Sequence, residues 1–270
     1  MDRVPVEVWL ETFSILNKRT LFSVHRVSRP LHRIARLLLF KHFTFYPYAA
    51  LGSHVILPGD IHLPGETEVK RIVRRLRFWT SDEVAPLVKE CTVAPRLILY
   101  EELKLGRYVH CQNYDVILHT FLELLPRFTN LGKLSSTSIK FRQHFLDALG
   151  SLPNLRKIEL QKCSLDESVM VRTQLKAVRL LVANTNDLVG VQKWLSIIGL
   201  QVRTQLSVQP PYAVPALDFM DGDIPVFPNV MTLEIRIHTL TQDVIALQRF
   251  PAVRTLRRRM GFPYNMRPNP

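Results

Sequence analysis

The chain has 270 residues, 47% of them hydrophobic, and a formal net charge of +13. That much apolar surface offsets chain entropy and excludes disorder over most of the length, leaving one large domain or a small one joined to a medium one. The basic balance suits an acidic protein, a nucleic acid or membrane headgroups and does not choose among them.

Cys91, Cys111 and Cys163 are far apart and odd in number. Such usage suits a reducing compartment and gives no disulfide framework. Asp2, Glu7 and Glu11 interrupt the N-terminal apolar residues, so that segment does not read as a signal peptide. The apolar runs Leu37 to Phe40 and Trp194 to Leu200 are far shorter than a membrane span. A cytoplasmic or nuclear protein with no membrane partner is the expectation.

Hydrophobic periodicity predicts three short helices before Phe45. Pro5 suits a first helical turn, and Glu7 complements the N-terminal dipole. Val6, Trp9, Leu10, Phe13 and Leu16 form one broad stripe expected to face a core, Trp9 included. Val8 and Ile15 lie on another side, with Thr12 between them. Asn17-Lys18-Arg19 breaks the pattern, and Thr20 is expected to cap a second helix carrying Leu21, Phe22, Val24 and Val27. Pro30 ends that helix and begins a third, in which Leu31, Ile34, Ala35 and Leu38 recur at helical spacing. This third helix fades by Phe43 to Phe45. Helices this short cannot enclose a large core. A large apolar side chain left in water forgoes about 1.5–3 kcal/mol. Val8 and Ile15 therefore need a cover, from the C-terminal part of the chain or from a partner.

These residues resemble an F-box, in particular those at the N-termini of many fungal F-box proteins. The resemblance rests on Pro5, Glu7, Val8, Leu10, Phe13 and Leu16, then Leu21, Val24, Val27 and Ser28, then His32-Arg33-Ile34-Ala35. The tail LLLFKHFTF resembles the continuation in those chains. Val4 stands where the family usually has leucine, and Thr12 where isoleucine is common. The resemblance implies docking on the Skp-type adaptor of a cullin-RING ubiquitin ligase. It makes Val4, Pro5, Val8, Ile15, Leu21 and Val24 candidate adaptor contacts.

From Tyr46 to Val69 the chain reads as a linker, rich in proline and glycine and without a sustained period. A basic cluster follows at Lys70, Arg71, Arg74, Arg75 and Arg77. Within it Leu76-Arg77-Phe78-Trp79 alternates like a strand. Aromatic interleaving in the cluster is thin and no recognition motif surrounds it, so a solvated face or an acidic protein partner is favoured over nucleic acid.

Beyond it lies a degenerate repeat, Asn-[Leu/Val]-x-x-[Leu/Ile]. Copies occur at Asn130-Leu131 to Leu134, at Asn154-Leu155 to Ile158 and at Asn229-Val230 to Leu233. A weaker copy runs from Ala252-Val253 to Leu256. The period lies in the mid-twenties, so the gap between Ile158 and Leu233 should hide two further copies, around Leu180 and Leu206. Leu76 and Leu99 extend the ladder backwards with irregular steps. Helical patterns at Phe141 to Gly150 and Val191 to Gly199 fall between strands and end in glycine. An insertion over 209–228 holds Asp218, Asp221 and Asp223 but lacks the order of a calcium loop.

Catalytic signatures are missing: no Gly-rich phosphate loop, no G-x-S-x-G elbow and no H-E-x-x-H helix. His110-Cys111 with His119 lacks a recognised metal spacing. Cys163 with His144 has no local support as a nucleophile and base. The expected fold class is α/β: a three-helix F-box over 1–45, a linker over 46–69, an irregular leucine-rich-repeat-like solenoid over 70–260 and a frayed tail over 261–270. The expected role is a non-enzymatic substrate receptor without cofactor or metal. Arg77, Lys133, Lys157, Glu159 and Arg236 are its candidate target contacts. A plain interaction scaffold and a nucleic-acid binder are the rivals.

Overall fold

The computed structural model describes residues 4–51, 61–98, 108–110, 115–170, 175, 179–183, 205–209, 226–235 and 248–258. The chain is α/β and divides into two compact units, residues 1–135 with 151–155, and residues 136–150 with 156–270.

The first unit begins with α1 (Val6–Ser14), α2 (Lys18–His25) and α3 (Arg29–Leu39). Asn17, not Thr20, caps α2: its Oδ1 accepts the Thr20 N–H at 2.9 Å. Ser28 caps α3 through the Leu31 N–H, with Pro30 in the first turn, where its missing N–H removes no helical bond. Phe13, Leu21, Leu31, Ile34, Ala35 and Leu39 form the core of the three helices, and Trp9, Leu10, Leu16 and Val24 pack against it. Val6, expected in that core, is exposed in the open first turn of α1.

Helix α3 stops at Leu39, and the next residues form a strand, β1 (His42–Phe45). The segment expected as a linker holds β2 (Ala49–Leu51) and β3 (Ile61–Pro64). It also starts α4 (Glu66–Trp79), which absorbs the strand-like alternation expected at Leu76 to Trp79. Val69, Ile72, Val73, Leu76 and Trp79 repeat at helical spacing, and a four-residue window could not show that period. Glu66 and Glu68 sit at the positive end of the helix dipole, and Glu66 pairs with Lys70 at 2.7 Å. After α4 come β4 (Glu90–Val93), β5 (Arg96–Ile98), β6 (Tyr108–His110) and α5 (Asp115–Leu124). Strand β1 pairs in parallel with β4, Phe43 opposite Cys91. Strands β5, β2, β3 and β6 form a second, smaller sheet. Phe43 packs among Trp79, Phe121 and Phe128, with ring centroids 4.9, 6.4 and 5.6 Å away.

Strand β7 (Lys133–Thr137) passes from the first unit into the second. The second unit continues with β8 (Lys140–Phe141), α6 (Gln143–Gly150), β9 (Lys157–Gln161) and β10 (Ser164–Leu165). It closes with β11 (Arg179–Ala183), β12 (Gln205–Gln209), β13 (Thr232–Ile235) and β14 (Thr255–Arg258). Strands β9, β11, β12, β13 and β14 lie side by side, all parallel, in chain order. Ile158, Leu180, Leu206, Leu233 and Leu256 are successive partners across them. Leu180 and Leu206, the positions expected in the long gap, lie on β11 and β12. Leu76, taken as a ladder position, lies instead on α4; Leu99, the helix expected over 191–199 and the tail over 261–270 lie outside the described residues.

One hydrogen-bond device recurs along the chain. The carbonyl of Lys41 accepts the N–H groups of Lys89 and Glu90, at 2.9 and 3.0 Å. That of Lys89 accepts Gly132 and Lys133, and in the second unit that of Met231 accepts Arg254 and Thr255. The repeat asparagines add a side-chain link. Asn130 donates to the Pro86 carbonyl and Asn154 to the Thr129 carbonyl, both at 2.8 Å. Each reaches back to the turn before the preceding strand. Replacing Asn154 by alanine removes one such bond and should cost about 1 kcal/mol in denaturant unfolding. Ser136 Oγ is buried without a hydrogen-bond partner among the described residues. Ser136→Ala should raise stability by about 1 kcal/mol in the same measurement, because an unsatisfied hydroxyl leaves the core.

Candidate functional site

The surplus apolar surface of the N-terminal helices is where periodicity puts it. Val8 and Ile15 are 48% and 83% exposed, and Val4 and Pro5 are exposed at the start of the same helix. Val8 and Ile15 are seven residues apart, two turns, so they share a side of α1. Thr12 lies between them and donates its hydroxyl to the Val8 carbonyl at 2.8 Å. The hydroxyl is therefore satisfied within the helix and asks nothing of a partner. Trp9 is not part of this surface: its ring lies 5.4 Å from that of Phe13 and packs on the helical core.

Two expected contacts change place. Leu21 is 5% exposed and belongs to the core, so it cannot touch a partner without unfolding α2. Val24 is half-buried against that core. The sequence reading missed Phe22 and Val27, which are 51% and 69% exposed on and just after α2. The signal was available: both fall off the stripe that Leu21 and Val24 define.

Charge is segregated around this surface. Between Thr12 and Gly59 there is no acidic residue, against Lys18, Arg19, Arg26, Arg29, Arg33, Arg36 and Lys41. Arg36 reaches Glu83 and Lys41 reaches Glu90, both at 3.4 Å. Lys18, Arg19, Arg26, Arg29 and Arg33 are exposed and have no acidic partner among the described residues. His25 and His32 meet between α2 and α3, their rings tilted and their centroids 3.9 Å apart.

The candidate target contacts are scattered. Lys133 lies on β7, Lys157 and Glu159 on β9, each alternating with buried residues and so turned to the solvent side. Lys157 and Glu159 meet at 2.7 Å and neutralise one another. Arg77 is exposed on α4 rather than on a strand, because the helical period governs that segment. Arg236 and the aspartates of the insertion lie outside the described residues.

Nucleophile chemistry finds no support at the two described cysteines. Both Cys91 and Cys163 are buried, and burial pushes their thiols up, that of Cys163 to about 12. A thiol held protonated is inert. Among the described residues no three His, Cys, Asp or Glu gather as a metal site, and no helix is long and apolar enough to cross a membrane. Asp166 is ionised for a structural reason. Hydrogen bonds from Ser168, then Lys140 at 3.0 Å, hold its carboxyl well below the usual range.

No family model matches the chain, and no curated protein is significantly similar to it.

Desolvation, then the charges of His32, Arg36 and Arg26, lowers the pKa of His25 below 6.5. As pH falls through 6.5 the unfolded chain takes up this proton before the folded one. The helical unit should therefore lose stability on acidification from about pH 7.5 to about pH 5.5. Gln at position 25 carries no proton, so thermal melts of His25→Gln should show a smaller loss over the same interval. An equal loss would assign the pH dependence elsewhere.

Proposed function

We propose that this chain is the substrate-receptor subunit of an F-box-type, cullin-RING ubiquitin ligase. Residues 4–39 are its F-box and dock on the Skp-type adaptor. The parallel ladder that follows is a leucine-rich-repeat-like domain that holds the target. The observation that carries this reading is the exposed face of Val8 and Ile15 on helices whose core is already closed without them. A face with no structural duty inside its own helical unit is the kind a partner covers. The acid-free surface of α2 and α3 adds that the partner presents acidic groups nearby, which steers encounter. The receptor contributes proximity rather than bond chemistry, raising the target's effective concentration beside a conjugating enzyme.

Val8, Ile15, Phe22 and Val27 replace Leu21 among the contacts to test. Val8→Asp with Ile15→Lys places each new charge where the α1 dipole favours it, so the fold should survive. Co-purification with the Skp-type adaptor should drop by about a hundredfold or more, because both charges would be buried unpaired. Thr12→Ile adds apolar area and should tighten binding about fourfold. Association should slow as salt rises. Wild-type protein that fails to bind the adaptor at micromolar concentration, or a double variant that binds as well as wild type, would refute the assignment. Tighter, steeply salt-dependent binding to nucleic acid would replace it with the basic-patch reading.

A further inference from the structure

A second site lies in the first unit, away from the exposed face of α1. A cleft of about 70 Å³ opens between α4 and the end of β1. Phe45, Tyr48, Ile72 and Leu76 make its apolar wall, and Arg75 and Arg96 stand at its polar side. Arg75 is held by the Thr44 carbonyl at 3.3 Å and lies 6.0 Å above the Phe43 ring. That is one hydrogen bond among the described residues for a group with five donors. Arg96 is half-buried, and its backbone N–H is fixed on the Tyr48 carbonyl at 2.9 Å. Among the described residues Glu68 is the only acidic one lining the cleft, and its carboxylate already faces Arg71 at 3.5 Å. The lining thus carries a net positive charge over an apolar floor.

We infer that this cleft binds a short aliphatic carboxylate, seated with its stem on Ile72 and its charge between Arg75 and Arg96. Size sets the class. A closed cavity of about 150 Å³ admits benzene, so about half that volume fits an aliphatic stem more closely than an aromatic ring. Guanidinium groups match a carboxylate through paired N–H donors, which favours an acid over an alcohol or an amide. The open side of the cleft admits the group either as a free acid or as a glutamate side chain on a peptide. The inference is independent of adaptor docking, which uses α1 and α2.

The test follows the Ile72 methyl signal of the full chain by NMR, assigned through Ile72→Val. The probes are butyrate, n-butanol, n-butylammonium and a capped Gly-Glu-Gly peptide. Butyrate or the peptide should shift the signal saturably, and n-butanol and n-butylammonium should not. Tighter binding of the peptide assigns the site to an acidic side chain; tighter binding of butyrate assigns it to a free acid. Arg75→Gln and Arg96→Gln should each weaken binding about tenfold, and Arg75→Lys should retain part of it. The proposal fails if neither acid saturates, if n-butylammonium binds equally, or if both glutamine variants bind like wild type. Adaptor co-purification, run on the same samples, shows whether failure is confined to this site.

Discussion

A single backbone oxygen serving two N–H groups is the constraint on which the first unit depends. The Lys41 carbonyl stands at the end of α3 and the start of β1, and it receives the chain at Lys89 and Glu90. The same device at Lys89 receives Gly132 and Lys133. A parallel strand cannot be reached by a tight hairpin and needs a long crossover. Each crossover must then return to a fixed height, or every side chain on the strand changes face. The doubly used carbonyl fixes that height, and the asparagine of the following turn secures the loop beside it.

This arrangement explains why aromatic residues gather behind β1. Once β1 and β4 are in register, Phe43 and Phe45 point to one side and must be covered by α4 and α5. Trp79 and Phe121 do so, with Phe45 and Phe121 stacked at 4.4 Å. Phe40 meets Phe78 and Trp79 from the end of α3, so the helical core and the sheet core share a wall. The helices are therefore anchored at α3, while the outer side of α1 has no role in that packing. The proposed docking role falls on a part of the helical unit that the fold leaves unused.

Much of the architecture was legible in the chain. Stripe residues such as Phe13, Leu31 and Ile34 are buried because helical period is a local property. Ile158, Leu233 and Leu256 were legible as one ladder because they stand at the same offset from Asn154, Asn229 and Ala252. Where reading failed, the window was too short or the element too irregular. Leu76 to Trp79 alternates only when cut from the ten residues before it. Strand β2 is Ala-Ala-Leu and β3 is Ile-His-Leu-Pro, with one β-branched residue between them, so no pattern marks them.

The exposed face of α1 shows the division most clearly. Sequence alone determined that Val8 and Ile15 lie off the main stripe, since helix geometry fixes that from spacing. It also determined the absence of acidic residues from Thr12 to Gly59. Spacing puts Leu21 and Phe22 on different sides of α2; the tertiary structure decided which side is core, because α3 settles against that of Leu21 and leaves that of Phe22 open. It alone brought Arg75 and Arg96 to one cleft from a helix and a strand twenty-one residues apart. Spacing along a chain specifies which side chains share a face; which face meets another element depends on contacts that no local pattern contains.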